Sequence, residues 1–157
     1  MTSKADFSAD EWETVLKGPP AAALMIASSQ RGGSFRESYS IAKSYAEARK
    51  QHGASQLLDD IVAEKPKIER SHAHSAQELQ QQALGQLRES LAAVEQHADA
   101  AEVDAYKRFV VSLAADVAQA HREGFLGFSG ERVSDAERTA VGEIASALGV
   151  TAPPLEG

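Results

Sequence analysis

Apolar residues recur at spacings of three and four along most of this chain, which is the period of one face of an α-helix. Two such stripes follow one another over residues 75–123. The first consists of Leu84, Leu87, Leu91, Val94 and Ala98, and the second of Val103, Tyr106, Val110, Leu113, Val117 and Ala120. The phase shifts at Asp99, which has Glu102 three residues later and is therefore able to cap a new helix. We predict a helical hairpin over residues 75–123 that turns at Asp99.

The N-terminal part, residues 8–64, is predicted to hold shorter helices. The first is expected to begin after Ser8, which has Glu11 at the capping-box spacing. It is expected to end at Gly18-Pro19-Pro20, because proline lacks the backbone N–H and disfavours helical geometry in the residue before it. A second short helix over residues 21–30 is apolar on most sides, and such a helix is either buried or covers a partner.

Two further helices are expected in the same part of the chain. One starts with the capping-box pair Ser34 and Glu37 and continues to about residue 52, where Gly53 provides the C-terminal stop. Its predicted stripe consists of Phe35, Tyr39, Ala42, Ala46 and Arg49. The other begins after Ser55 and ends before Pro66.

The last helix is predicted over residues 134–149, where Ser134 and Glu137 form another capping-box pair and Gly149 ends the helix. Residues 150–157 are expected to be a loose tail. The whole chain, residues 1–157, therefore predicts one all-α domain: a compact bundle of about four long helices with two or three short ones. Residues 106–148, which are strongly apolar, are expected to be the segment around which the others pack.

Composition narrows the possible functions. The chain has 157 residues, 43% of them hydrophobic and 25% charged, with a formal charge of -7 and no cysteine. Its lysines and arginines form no stripe of the kind that binds phosphates, so a nucleic-acid partner is not expected. The first ten residues lack the apolar region of a secretory signal, and no apolar run approaches the roughly 20 residues of a transmembrane segment. We expect a cytoplasmic location.

A glycine-spaced loop over residues 124–133 is the most unusual piece of sequence. Glycine at every third position, from residue 124 to residue 130, lets the backbone approach a surface closely, while Phe125, Leu126 and Phe128 are apolar and must be covered. Two interpretations are open. The loop is either a tight connection whose aromatic side chains plug the end of the bundle, or an interaction surface for a partner.

The nine residues Ser129-Gly-Glu-Arg-Val-Ser-Asp-Ala-Glu137 resemble the D-G-x-[VI]-S-x-x-E motif with which a helix begins in the TerB-like, tellurite-resistance-associated family. The family's aspartate is Ser129 here, and one extra residue separates the glycine from Val133. The resemblance implies an all-helical fold and a role in bacterial stress response. Among the acidic residues that crowd the C-terminal third, Glu131, Asp135 and Glu137 are candidate metal ligands, and only Glu137 occupies a position that matches the family's motif.

Three classes of function remain. The first is a non-catalytic helical interaction or assembly protein that binds a protein partner or forms a homo-oligomer, as the apolar residues 21–30 and the loop aromatics suggest. The second is a helical domain that binds a divalent cation or a small ligand, because acidic residues are frequent in the C-terminal third. An enzyme is third, since no nucleophile motif or Ser/His/Asp set is recognisable and no cofactor-binding or catalytic residue can be assigned.

Overall fold

The computed structural model describes residues 1–28, 34–67, 74–122 and 135–155. These residues form six α-helices, preceded by a 3₁₀ turn at Lys4–Asp6, and contain no β-strand. The helices are α1 (Ala9–Ser28), α2 (Ser34–Lys50), α3 (Gln56–Ala63), α4 (Ala76–His97), α5 (Ala100–Arg122) and α6 (Asp135–Leu148). The predicted all-α bundle is confirmed. No helix in the described ranges has both the length and the apolar character that crossing a membrane requires.

Helix α1 is the element on which the bundle is built. It packs most extensively against α4, next against α5, and also touches α2 and α6. Eleven of its 20 residues are buried. The expectation that residues 106–148 organise the fold is therefore wrong, because a more deeply buried helix near the N-terminus makes most of the contacts.

The predicted helix end at Gly18-Pro19-Pro20 is also wrong, since α1 runs through these residues. Pro19 has no N–H to give to the carbonyl of Val15, four residues earlier. Two other helices supply the missing donors: Ser90 Oγ of α4 lies 3.1 Å and Tyr106 Oη of α5 lies 3.4 Å from that oxygen. Both side chains are fully buried, and their hydroxyl oxygens also lie within hydrogen-bond distance of each other. Because each hydroxyl carries one proton, either both donate to the Val15 carbonyl, or one donates to that carbonyl and the other donates to its neighbouring hydroxyl. The local cost of the proline is thus offset by tertiary contacts.

Helices α4 and α5 meet at the predicted turn. Asp99 Oδ1 accepts a hydrogen bond from the Glu102 N–H at 2.9 Å, and Glu102 Oε2 accepts one from the Asp99 N–H at 3.2 Å, which is a reciprocal capping box. Ser75 caps the start of α4, with its side chain accepting from the Glu78 N–H, while the Glu78 carboxylate accepts from the His74 N–H at 2.8 Å. The break is confirmed, but the two helices share few direct contacts, because each packs mainly on other elements.

Helix α2 turns a different face inward from the one predicted. Ile41 and Tyr45 are buried and Ala48 is half-buried, whereas Ala42 and Ala46 are exposed and Tyr39 has 69% of its surface in solvent. The large Ile41 and Tyr45 side chains gain more from burial than the alanines of the predicted stripe. Ser55 caps α3 as predicted, its side chain accepting from the Leu58 N–H, and the buried residues of α3 are Leu57, Ile61 and Val62.

Helix α6 carries the predicted buried stripe of Val141, Ile144 and Leu148. Gly149 follows it with a φ of +70°, the left-handed conformation that commonly ends a helix. The described part of the tail is not loose. Val150 donates a hydrogen bond to the Ala145 carbonyl, and Leu155 packs against the core.

Candidate functional site

A groove of about 380 Å³ lies where α2, α3 and α5 meet. Its sides include Leu58 and Val62 of α3 and Phe109 and Leu113 of α5, which provide apolar surface. Phe109 is held in place by an edge-to-face contact with the buried Tyr45, with ring centroids 5.6 Å apart. The apolar side of the groove is therefore built from rigid helices and fixed side chains.

Polar side chains surround this apolar surface. Ser44 on α2 donates a hydrogen bond from its Oγ to Asp116 Oδ2 on α5, at 3.1 Å. Burial raises the pKa of Asp116, while the hydrogen bond from Ser44 and the charge of Lys43 act in the opposite direction. The Asp116 side chain nevertheless remains exposed at the surface of the groove, so its desolvation is only partial.

Two more carboxylates belong to the groove. Asp59 on α3 accepts a hydrogen bond from the Gly53 N–H at 2.9 Å, and Glu47 on α2 forms an exposed ion pair with Lys50 at 3.0 Å. The cation in the lining is Arg108, which pairs with Asp104 one helical turn earlier. The groove consequently combines an apolar surface with an excess of negative charge.

The sequence did not identify most of this site. Asp116 belonged to a stretch rich in acidic residues, but nothing in the sequence related it to Ser44 or Asp59. Phe109 falls outside the predicted stripe of α5, although it lies three residues after Tyr106 on a neighbouring face. Phe109 is thus an additional apolar residue next to the predicted stripe, and this is the feature of the sequence that points to the groove.

The residues predicted to interact with a partner, Phe125, Leu126 and Phe128, lie outside the described residues, as does Glu131. The other two candidate metal ligands are in different environments: Asp135 is exposed at the start of α6, whereas Glu137 is fully buried. In the described part of the chain, no group of three or more His, Cys, Asp or Glu side chains is arranged to hold a metal ion.

The apolar residues from position 21 onward were a second candidate for partner binding. In the structure they form the C-terminal half of α1, where Ala21, Ala22, Ala23, Met25 and Ile26 are all buried in the core. This surface is already covered by the other helices of the same chain. Most apolar side chains of residues 21–28 therefore belong to the core, with Leu24 and Ala27 partly buried, and their composition reflects the central position of α1.

Comparison with protein-family models, with curated proteins and with solved structures finds no match to this chain. The resemblance to TerB-like proteins consequently stays a prediction that rests on residues 129–137. Helix α6 begins at Asp135, within that motif.

Proposed function

We propose that this protein is a non-catalytic helical interaction protein that binds a partner in the groove between α2, α3 and α5. The observation that carries the proposal is the groove's composition: a fixed apolar surface around Phe109 and Leu58, bordered by hydrogen-bonding side chains. Binding sites commonly combine an apolar surface with a few polar groups that orient the ligand. The sequence favours partner binding partly through residues 21–30, whereas the proposal is based on the groove.

The titratable groups of the groove favour binding over catalysis. They are three carboxylates and one arginine, and the Ser44 hydroxyl is engaged with Asp116. Among the described lining residues there is no histidine to serve as a general base near neutral pH. We therefore rank an enzymatic function third.

The proposal is tested by selecting peptides from a random display library on the immobilised full chain. Ser112 is exposed and lines the groove, so Ser112→Tyr should fill it. Ser146→Tyr places the same side chain at an exposed serine of α6 and serves as the matched control. We expect enriched peptides whose binding is lost in Ser112→Tyr and kept in Ser146→Tyr. Equal binding to both variants, or no enrichment, contradicts the proposal.

A small-ligand-binding domain is the alternative. The groove volume of about 380 Å³ falls within the range typical of small-molecule sites, roughly 300 to 1,000 Å³. A thermal melt against a panel of small amines, amino acids and divalent metal chlorides tests this alternative, because a ligand that binds only the native state must raise the melting temperature. A shift that Ser112→Tyr abolishes supports it, and the absence of any shift at saturating concentration contradicts it.

The cellular context is part of the same proposal. The TerB-like resemblance supports a role in bacterial stress response, and the composition supports a cytoplasmic location without a nucleic-acid partner. Growth of a bacterial host on tellurite, with and without expression of the chain, tests the stress-response part. Unchanged tolerance at confirmed expression contradicts it.

A further inference from the structure

The charges of the groove indicate which kind of partner it accepts. The inference drawn from them rests on the proposed function, that is, on the groove being a binding site. Asp59 and Asp116 receive hydrogen bonds from neutral donors, the Gly53 N–H and the Ser44 hydroxyl. Neither carboxylate forms an ion pair with a described residue. A neutral donor stabilises a carboxylate without cancelling its charge, so both positions retain negative charge that a bound cation can neutralise.

Two of the positive charges near the groove are already paired. Arg108 is paired with Asp104, and Lys50 is paired with Glu47 in an exposed bridge in which 70% of the lysine side chain is in solvent. The charge of Lys43 acts on Asp116 and lowers its pKa in part. Exposed pairs of this kind contribute little and are screened by salt, so they compete weakly with a cationic ligand.

The shape of the groove adds a requirement for apolar contacts. Its lining follows α5 from Ala105 to Asp116, which at 1.5 Å per residue is a length of roughly 16 Å. Phe109 and Leu113 lie between these ends, and Leu58 faces them from α3. A single small cation leaves most of this apolar surface uncovered. A second copy of the chain is disfavoured because each copy carries a formal charge of -7.

We infer that the groove binds a basic peptide segment of a partner protein, in which lysine or arginine side chains reach Asp59 and Asp116 while neighbouring apolar side chains cover Leu58 and Phe109. Asp116 is exposed and Asp59 is partly exposed, so cationic side chains of a partner can reach both carboxylates. The partner thus supplies the positive charge that the groove lacks.

Fluorescence anisotropy with three labelled 12-residue peptides tests the inference. The peptides alternate leucine with lysine, with glutamate or with serine, so that their apolar positions are identical and their polar positions are positive, negative or neutral. We expect the lysine peptide to bind and the other two not to bind. Asp59→Asn/Asp116→Asn keeps the hydrogen-bond acceptors and should weaken binding about 5- to 30-fold, if each lost charge contributes roughly 0.5 to 1 kcal/mol as a partly screened pair.

The control variant Glu89→Gln/Glu143→Gln removes two exposed charges outside the groove, from α4 and α6, and should leave binding within about twofold. Equal weakening by both double variants, or absence of lysine-peptide binding, overturns the inference. Binding of the serine or glutamate peptide that Ser112→Tyr abolishes also overturns it, but leaves the proposed function standing. A dimer seen by light scattering and dissolved by Ser112→Tyr assigns the groove to a second copy and overturns the inference as well.

Discussion

Gly18 is the position at which the central helix is most sensitive to a small change. A Cβ atom added there would lie 2.7 Å from Ser90 Cβ, and closer still to Ser90 Oγ and Tyr106 Oη. Atoms do not approach so closely, so α1 must move away from α4 and α5 or the two hydroxyls must leave the Val15 carbonyl. Gly18→Ala therefore perturbs both the packing and the hydrogen bonds that compensate for Pro19.

The expected cost follows from three contributions. Overpacking a well-packed core costs about 1 to 3 kcal/mol. Weakening the hydrogen bonds to the buried Val15 carbonyl adds about 1 kcal/mol. The higher helix propensity of alanine offsets up to about 1 kcal/mol of this cost. We predict a net loss of about 1 to 4 kcal/mol in the free energy of unfolding, which lowers the melting temperature by about 2 to 16 °C for a chain of this size.

Gly85→Ala in α4 is the matched control, because Gly85 is also inside a helix but has no atom within 4 Å of the added Cβ. It should raise the free energy of unfolding by about 0.5 to 1 kcal/mol. Urea unfolding followed by the fluorescence of Trp12, the single tryptophan, measures both variants. In a Ser90→Ala/Tyr106→Phe background the cost of Gly18→Ala should fall by about 1 kcal/mol, since both nearby oxygens are then absent. The cost should not vanish, because the Cβ at position 90 remains 2.7 Å from the added atom. A stabilising Gly18→Ala, or a cost unchanged in that background, refutes the reasoning.

Further predictions concern the caps, the core and the titratable groups. Asp99→Ala should cost about 1 kcal/mol by removing the acceptor for the Glu102 N–H, as measured by urea unfolding, and an unchanged midpoint contradicts the cap. Ile144→Ala should cost about 2 to 5 kcal/mol because Ile144 is fully buried; a cost below 1 kcal/mol in the same assay would place α6 outside the core. Burial raises the pKa of Glu102, but hydrogen bonds from Thr2 and Asp99 outweigh it and leave the pKa below the usual 4.5. Its contribution to stability is present above pH 4.5 and is lost as the pH falls through the folded-state pKa, so Glu102→Gln should show a smaller loss of stability on acidification. The pKa of Asp116 is raised, so its effect on stability runs the other way: the folded state loses stability as the pH rises through this pKa and the carboxyl group becomes charged. Asp116→Asn removes that charge and should be at least as stable as the natural chain at pH 7. A clear loss of stability in this variant would count against the reasoning.

The sequence predicted the parts of the fold that depend on neighbouring residues. The turn at Asp99 and the caps at Ser8, Ser75 and Ser55 are local, because donor and acceptor lie three residues apart. The continuity of α1 is not local. It depends on Ser90 and Tyr106, which lie 75 and 91 residues from Val15, and no window of sequence around Pro19 contains them.

The groove was unpredictable for the same reason. Ser44 and Asp116, which hydrogen-bond between α2 and α5, are 72 residues apart and belong to helices whose mutual packing the periodicity does not specify. On α2 the predicted inward face includes Tyr39, which is exposed, and omits Ile41 and Tyr45, which lie in the core. A stripe of residues at spacings of three and four predicts a helix, but it does not decide which of two neighbouring faces of that helix is buried.

The continuity of α1 through Gly18, Pro19 and Pro20 is the feature on which the positions of α2, α4, α5 and α6, the helices that pack on α1, depend. Because the chain has no cysteine, spin labels can be attached at Asp10→Cys and Ala27→Cys without further changes. Double electron–electron resonance between them should give one narrow distribution, with backbone positions about 26 Å apart, the length of 17 residues of unbroken helix. A broad distribution, or one centred near the roughly 18 Å expected for two helices meeting at a right angle at Gly18, would contradict a continuous α1.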